Sequence, residues 1–187
     1  MGVGAVPPGV LRYVLLLRGI NVGGHKRVPM AELRALLTGL GHADVRTHLQ
    51  SGNAVFTAPA QDPGELAAAV EAAIEERFGF AVPCLVLTGV ELRAAAARCP
   101  FPAAELDPAR LAVLFLDRPA ASHRLAGEDP AAWAPEEFRL GEREIFAWFP
   151  EGMGRSRLGA VLAAPVPGTR TTVRNWRTVA ALLALLD

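Results

Sequence analysis

The sequence is short of the residues that most often staple a small fold or mark its chemistry. Two cysteines, Cys84 and Cys99, stand among 187 residues. Neither belongs to a C-x-x-C pair and no histidine pair sits beside either, which excludes a zinc ribbon and a dithiol redox motif and leaves no metal site to name. Lysine occurs once, at Lys26, against 18 arginines; beside the heavy use of alanine, this skew reads as genomic base bias and carries no function. The apolar runs, residues 13–17 and 179–186 among them, fall short of the roughly 20 residues that span a bilayer. Residues 1–8 lack the basic and apolar segments of an export signal, and Val6 stands where a myristoylation signal needs Ser or Thr. The expectation is a cytoplasmic protein with no membrane partner.

Apolar residues make up 51% of the chain, enough to build a core without disulfides. The formal net charge is +0, so the chain is no polyelectrolyte, but its charges are unevenly placed. Residues 18–53 hold five basic and two acidic groups, residues 54–150 eight and fifteen, and residues 151–187 five and two. An acidic middle between two basic ends attracts anions locally wherever the ends fold into one patch.

Residues 12–17 form a short apolar run that reads as a central strand, followed by a glycine-containing stretch. Pro29 opens a helix whose stripe is Met30, Leu33, Leu36, Leu37 and Leu40. Residues 45–49 and 54–57 read as a hairpin around Gln50, Ser51, Gly52 and Asn53. A second helix runs from Asp62 or Pro63 to Phe78, a fourth strand covers residues 82–87, and Thr88 caps a short helix to Arg98. Residues 12–87 therefore spell β-α-β-β-α-β, the split arrangement of ferredoxin-like domains.

Pro100, Pro102 and Pro108 mark residues 100–108 as the connection between a first half, 1–99, and a second, 109–187. Beyond it come a strand at 111–116, a short helix at 120–126, a hairpin of 137–140 and 144–149 turning at Gly141, and a helix at 156–164. The order is β-α-β-β-α again, without residue identity between the halves, so the candidate duplication is one of structure. A last helix over residues 176–186 closes an α+β chain of two ferredoxin-like halves.

The polar signals cluster in four places. Arg18, Gly19, Asn21, Gly23, Gly24, His25, Lys26 and Arg27 lie between a buried strand and a helix start, where peptide N–H groups can cradle an anion. A glycine-rich turn with solvated cations explains the same residues. The stretch is neither a Walker A loop nor G-x-G-x-x-G. Gln50, Ser51 and Asn53 offer hydrogen bonds to a base edge, a carboxamide or a sugar, or simply build a turn. With first and third strands taken as parallel, this hairpin and the glycine loop are expected at opposite sheet ends, roughly 17 Å apart. Arg155, Ser156 and Arg157 repeat the theme of glycines, cations and a helix start; the glycine spacing rules out a nucleophile elbow, and Ser156 reads as an N-cap. Arg174 and Asn175 precede Trp176, a cation and aromatic pairing able to stack a base, although Trp176, Val179, Ala180 and Leu183 share one helix face, which makes Trp176 a core anchor and Asn175 its cap.

Four spaced motifs, residues 16–24 with Pro29 and Met30, residues 49–53, residues 154–158 and residues 174–178, resemble those of the bacterial domain-of-unknown-function 1697 family. The resemblance runs almost end to end and implies an α+β protein of two related halves with no established reaction, so no catalytic residue is carried over. It also implies Lys where Arg157 stands and Asn where Arg177 stands.

Three functional readings follow. The first is binding of an anionic ligand (a nucleotide, a phosphorylated metabolite or RNA) through the glycine-rich basic loops, with Lys26, Arg155 and Arg157 converging. Neutral net charge and a single nearby aromatic favour a small ligand over nucleic acid. The second is a protein-interaction or scaffold module whose polar motifs pair internally. The third is an enzyme of unnamed reaction built on His25 or Ser156. Cofactor and oligomeric state are left unassigned.

Overall fold

A computed structural model describes residues 7–187; the stretch examined above for a leader falls largely in residues 1–6, outside them. The chain forms two compact units, residues 1–93 with 181–187, and residues 94–180. The prolines of 100–108 thus lie inside the second unit, and the last turn of the chain belongs to the first.

In the first unit β1 (Val10–Leu17), β2 (Ala43–His48), β3 (Asn53–Pro59) and β4 (Cys84–Thr88) form a sheet of order β2-β3-β1-β4. Helices α1 (Met30–Gly39) and α2 (Pro63–Phe78) provide the crossovers. Asp62 accepts the N–H groups of Gly64 and Glu65 to cap α2, and Gly79, at φ 79°, ends it in the left-handed conformation that glycine tolerates. Leu33 and Leu37 of α1 and Leu66, Val70 and Ile74 of α2 pack on Tyr13, Leu15, Phe56 and Val86. The opposite face, with Val14, Leu16, Val55 and Leu85, is buried as well, which is why β1 shows no alternation.

Helix α3 (Gly89–Ala97) starts in a reciprocal capping box, the Glu91 N–H donating to Thr88 Oγ1 and the Thr88 N–H to Glu91 Oε2. In the second unit β5 (Leu111–Leu116), β6 (Glu137–Leu140), β7 (Glu144–Trp148) and β8 (Thr171–Asn175) give the order β6-β7-β5-β8, with α4 (Arg157–Ala163) as second crossover. The chain ends in α5 (Trp176–Leu185).

Two expectations are corrected here. The β-α-β-β-α pattern of the second half is completed by β8, so each half has four strands. The β-branched run of Thr171, Thr172 and Val173 signals this strand, but it passes into α5 without a breaking residue, and the element order read from sequence assigns no strand there. The expected helix at 120–126 is two 3-10 turns, Ala120–Ser122 and Arg124–Gly127, with a third at Pro130–Trp133. Seven alternating small and polar residues do not supply an α-helical stripe; Ala120, Leu125 and Trp133 anchor the turns to the core instead.

The two sheets are closed at the same point by matched bonds. The Leu17 N–H donates to Gly52 O (2.8 Å) and the Arg18 N–H to Pro83 O (3.0 Å); in the second unit Leu116 donates to Arg143 O (2.9 Å) and Asp117 to Arg170 O (3.0 Å). The duplication is therefore visible in backbone hydrogen bonds although it is absent from residue identity.

Candidate functional site

Strand β1 pairs antiparallel with both neighbours, Leu16 opposite Asn53 on β3 and Leu17 opposite Cys84 on β4. The glycine loop after β1 and the hairpin before β3 therefore share one sheet end, which overturns the expected separation. The reason is topological: the β1-α1-β2 crossover makes β1 and β2 parallel, and the hairpin reverses β3 against both.

Asn21 joins the two motifs. Its Nδ2 donates to Gln50 O (2.7 Å) and Val28 O (3.0 Å), and its Oδ1 accepts the Val28 N–H (2.9 Å). The loop itself is tightly folded, with Gly19, Asn21, Gly23, Gly24 and Lys26 all at positive φ. Gly52 is required by position: at φ +81° a Cβ would also stand 2.7 Å from Leu17 Cβ and from Ile20 Cδ1. Asn53, fully buried, donates to His48 O (2.8 Å) and Ser51 Oγ (2.9 Å), and so fixes the hairpin. Lys26 turns away from the loop to Ala81 O (2.8 Å).

This end presents backbone N–H groups and cations. The peptide N–H groups of Gly19, Gly23 and Gly24 donate to no acceptor among the described residues. Segments 18–28, 47–53 and 79–84, which meet here, contain Arg18, His25, Lys26, Arg27 and His48 and no acidic residue. Glu71, reaching in from α2, is engaged by the Cys84 N–H (2.9 Å). Arg18 is half-buried, and that burial lowers its guanidinium below the ordinary arginine range.

The basic motifs of the second unit serve its packing. Ser156 Oγ accepts the Gly159 N–H (2.8 Å) and caps α4. Arg157 lies over the Trp133 ring, 4.2 Å from its centroid, a cation–π contact that fixes the guanidinium on the protein itself. Asn175 Oδ1 accepts the Thr178 N–H (3.0 Å) as the cap of α5. Arg174 is buried, with Nη1 donating to Thr172 Oγ1 (2.6 Å) and Val173 O (2.8 Å), and burial brings it down to about 10. Arg155 is exposed and, alone of this group, makes no side-chain bond among the described residues. Strands β7 and β8 both run antiparallel to β5, so these residues sit at the sheet end opposite to the one closed by Leu116 and Arg143. The two glycine-rich motifs are thus not equivalent positions of the duplication.

A profile of the family DUF1697, described as a protein of unknown function, matches residues 10–146. The chain belongs to this family. The matched span holds the glycine loop and the hairpin, while the later motifs fall beyond it. Comparison with solved structures finds a conserved bacterial protein, SP0830 from Streptococcus pneumoniae, at 27% identity and a TM-score of 0.72, covering 95% of this chain and 99% of that one. No match appears among the curated proteins. The DUF1697 chain thus shares its fold over both units with that streptococcal protein.

No group of three or more His, Cys, Asp or Glu residues that could hold a metal comes together among the described residues, and no described helix is long and apolar enough to cross a membrane. Arg27, read from sequence as one of the loop's cations, is exposed beside Lys26, whereas the aliphatic tips Val22 and Leu49, 70% and 57% exposed, were given no role there. The signal for the tips was their position: each adjoins a residue of the Asn21–Gln50 bond.

Proposed function

We propose that the cation-rich end of the first sheet binds an anionic ligand. Peptide N–H groups of Gly19, Gly23 and Gly24 supply fixed donors, and Arg18, His25 and Arg27 supply charge. The observation that carries the reading is the meeting of three segments that contribute cations and no carboxylate of their own, joined by Asn21, with the Glu71 carboxylate already engaged by the Cys84 N–H. Lys26, bonded to Ala81, acts by holding the loop; Arg157, Ser156, Arg174 and Asn175 take no part. The ligand class is a phosphate ester of small size, such as a nucleotide or a phosphorylated metabolite.

Thermal shift tests it, with inorganic phosphate, ATP, a hexose phosphate and a 12-nucleotide RNA, on the protein and on Arg27→Gln and Arg155→Gln. Binding to the native state stabilises by about 2.7 kcal/mol at a hundredfold excess over Kd. The expected result is a saturable rise for a phosphate ester that Arg27→Gln removes and Arg155→Gln keeps. A flat series, or a rise that Arg155→Gln removes, overturns it.

One observation favours a second reading, a protein-interaction module: Asn21, Asn53, Ser156, Arg157 and Asn175 all bond internally, as an interaction scaffold requires.

A further inference from the structure

Leu49 occupies the left-handed region at φ 58°, at the tip of the β2–β3 hairpin, with its side chain 57% exposed. A branched aliphatic residue there is an outlier, strained where Gly or Asn would sit easily. The strain is not repaid by burial. Val22, β-branched and 70% exposed, tips the glycine loop between Asn21 and Gly23. The Asn21 Nδ2 to Gln50 O bond of 2.7 Å links the residues next in sequence to these two, so both aliphatic tips project from one small area. That area is the cation-rich end carrying Arg18, His25, Arg27 and His48. Backbone strain that presents apolar surface to water is a reason to look for a partner.

We infer that this end docks an acidic protein segment, its carboxylates meeting the arginines and an aliphatic anchor resting on Val22 and Leu49. The inference deepens the anion-binding reading and rests on it. Charge complementarity selects the partner: a surface on which Arg18, His25, Arg27 and His48 face a single carboxylate, that of Glu71, itself engaged by the Cys84 N–H, suits an acidic chain, and two aliphatic tips add contacts that a free phosphate cannot use. A nucleic acid is disfavoured by what is missing for stacking. The aromatics of the first sheet, Tyr13 and Phe56, are fully buried, and Phe80 is half-buried against Phe78, so no exposed ring awaits a base.

The test is selection of displayed random dodecamer peptides on the purified protein, followed by affinity measurement of the enriched peptides by fluorescence anisotropy. The control probes are inorganic phosphate and a 12-nucleotide RNA. Enrichment of Asp and Glu around an aliphatic residue is expected. The double variant Val22→Ser, Leu49→Asn should weaken the selected peptide at least tenfold and leave any phosphate-induced thermal shift unchanged. Replacing the peptide's aliphatic residue by Ser should weaken it equally, and the two changes together should not add. A pool without acidic and aliphatic enrichment, an unchanged affinity in the double variant, or tighter binding of the RNA overturns the inference. A phosphate shift surviving that result keeps the anion reading; its loss as well defeats both.

Discussion

The matched ends of the two sheets carry opposite chemistry on one backbone plan. Arg18 and Asp117 occupy the same place, each donating its N–H across to the lead-in of the last strand. In the second unit the charges at this end are neutralised: Asp117 accepts the Arg170 N–H (3.0 Å) and faces its guanidinium at 3.9 Å, while Arg98 pairs with Glu144 (2.7 Å) and Glu142 (3.6 Å). In the first unit the corresponding segments hold cations and no acid. The connections differ in the same sense. After β5 the chain runs through 3-10 turns anchored by Leu125 and Trp133. After β1 it folds into a loop of positive-φ residues with open N–H groups. A duplicated fold has thus kept one end as closed packing and left the other available for recognition, which is expected where function resides on loops over a rigid scaffold.

That contrast can be broken from either side. The largest effect is expected for Gly52→Ala, which adds a Cβ against Leu17 and Ile20 at φ +81° and should cost about 3 kcal/mol. Hydrogen exchange in residues 10–88 should show it, while fluorescence of the three tryptophans, all within residues 94–180, changes little. Arg98→Met strikes the closed end. It leaves the Glu144 carboxylate, 3% exposed, with only the Arg143 N–H (3.0 Å) as a charge-stabilising partner. The cost should be about 2 kcal/mol, below that of a fully buried pair because Arg98 is partly exposed; tryptophan fluorescence under denaturant reads it, and an unchanged midpoint would refute the role.

Acid should weaken both units through one histidine each. His42, stacked on Phe56 at 4.4 Å with Nε2 unpartnered, and His123, whose Nδ1 accepts the Leu125 N–H, are both held below the ordinary 6.5 by burial, Arg124 adding to the effect at His123. The unfolded chain then binds more protons than the native one below pH about 6.5, so stability falls as pH drops through that value toward the lowered native pKa values. His42→Phe should flatten the pH dependence of exchange in the first unit and leave the second unit's slope intact. The smallest effect sharpens the contrast: Leu49→Asn should stabilise the first unit by about 0.5–1 kcal/mol by relieving left-handed strain, measured as a raised midpoint in the same exchange experiment. A loss of stability would mean that Leu49 packs.

Element identities were largely legible because their causes are local: the Asp62 and Ser156 caps, the Gly79 stop, and the apolar runs of β1 and β5 all act within a few residues. The strand at 171–175 was missed because its end coincides with the Asn175 cap of α5, leaving no turn between two elements. The convergence of the glycine loop with the hairpin was missed for a non-local reason, the strand direction of β3, which follows from the crossover and not from any residue in either motif. Conversely, Arg157 read as an anion ligand from sequence, since nothing near it announces that Trp133, 24 positions earlier, lies beneath it.

The final residues carry a consequence for how the chain acquires its structure on the ribosome. Arg12 donates to Leu186 O, Arg93 pairs with Asp187 at 2.6 Å, and Leu186 lies against Gly89, so the unit begun first is completed by residues that follow the whole second unit. Vectorial folding, in which an N-terminal domain matures before its successor emerges, is denied to it. Its nascent sheet must wait, with its closing contacts unmade, through the translation of the whole second unit, and a chain cut before residue 181 would carry its defect in the unit made first.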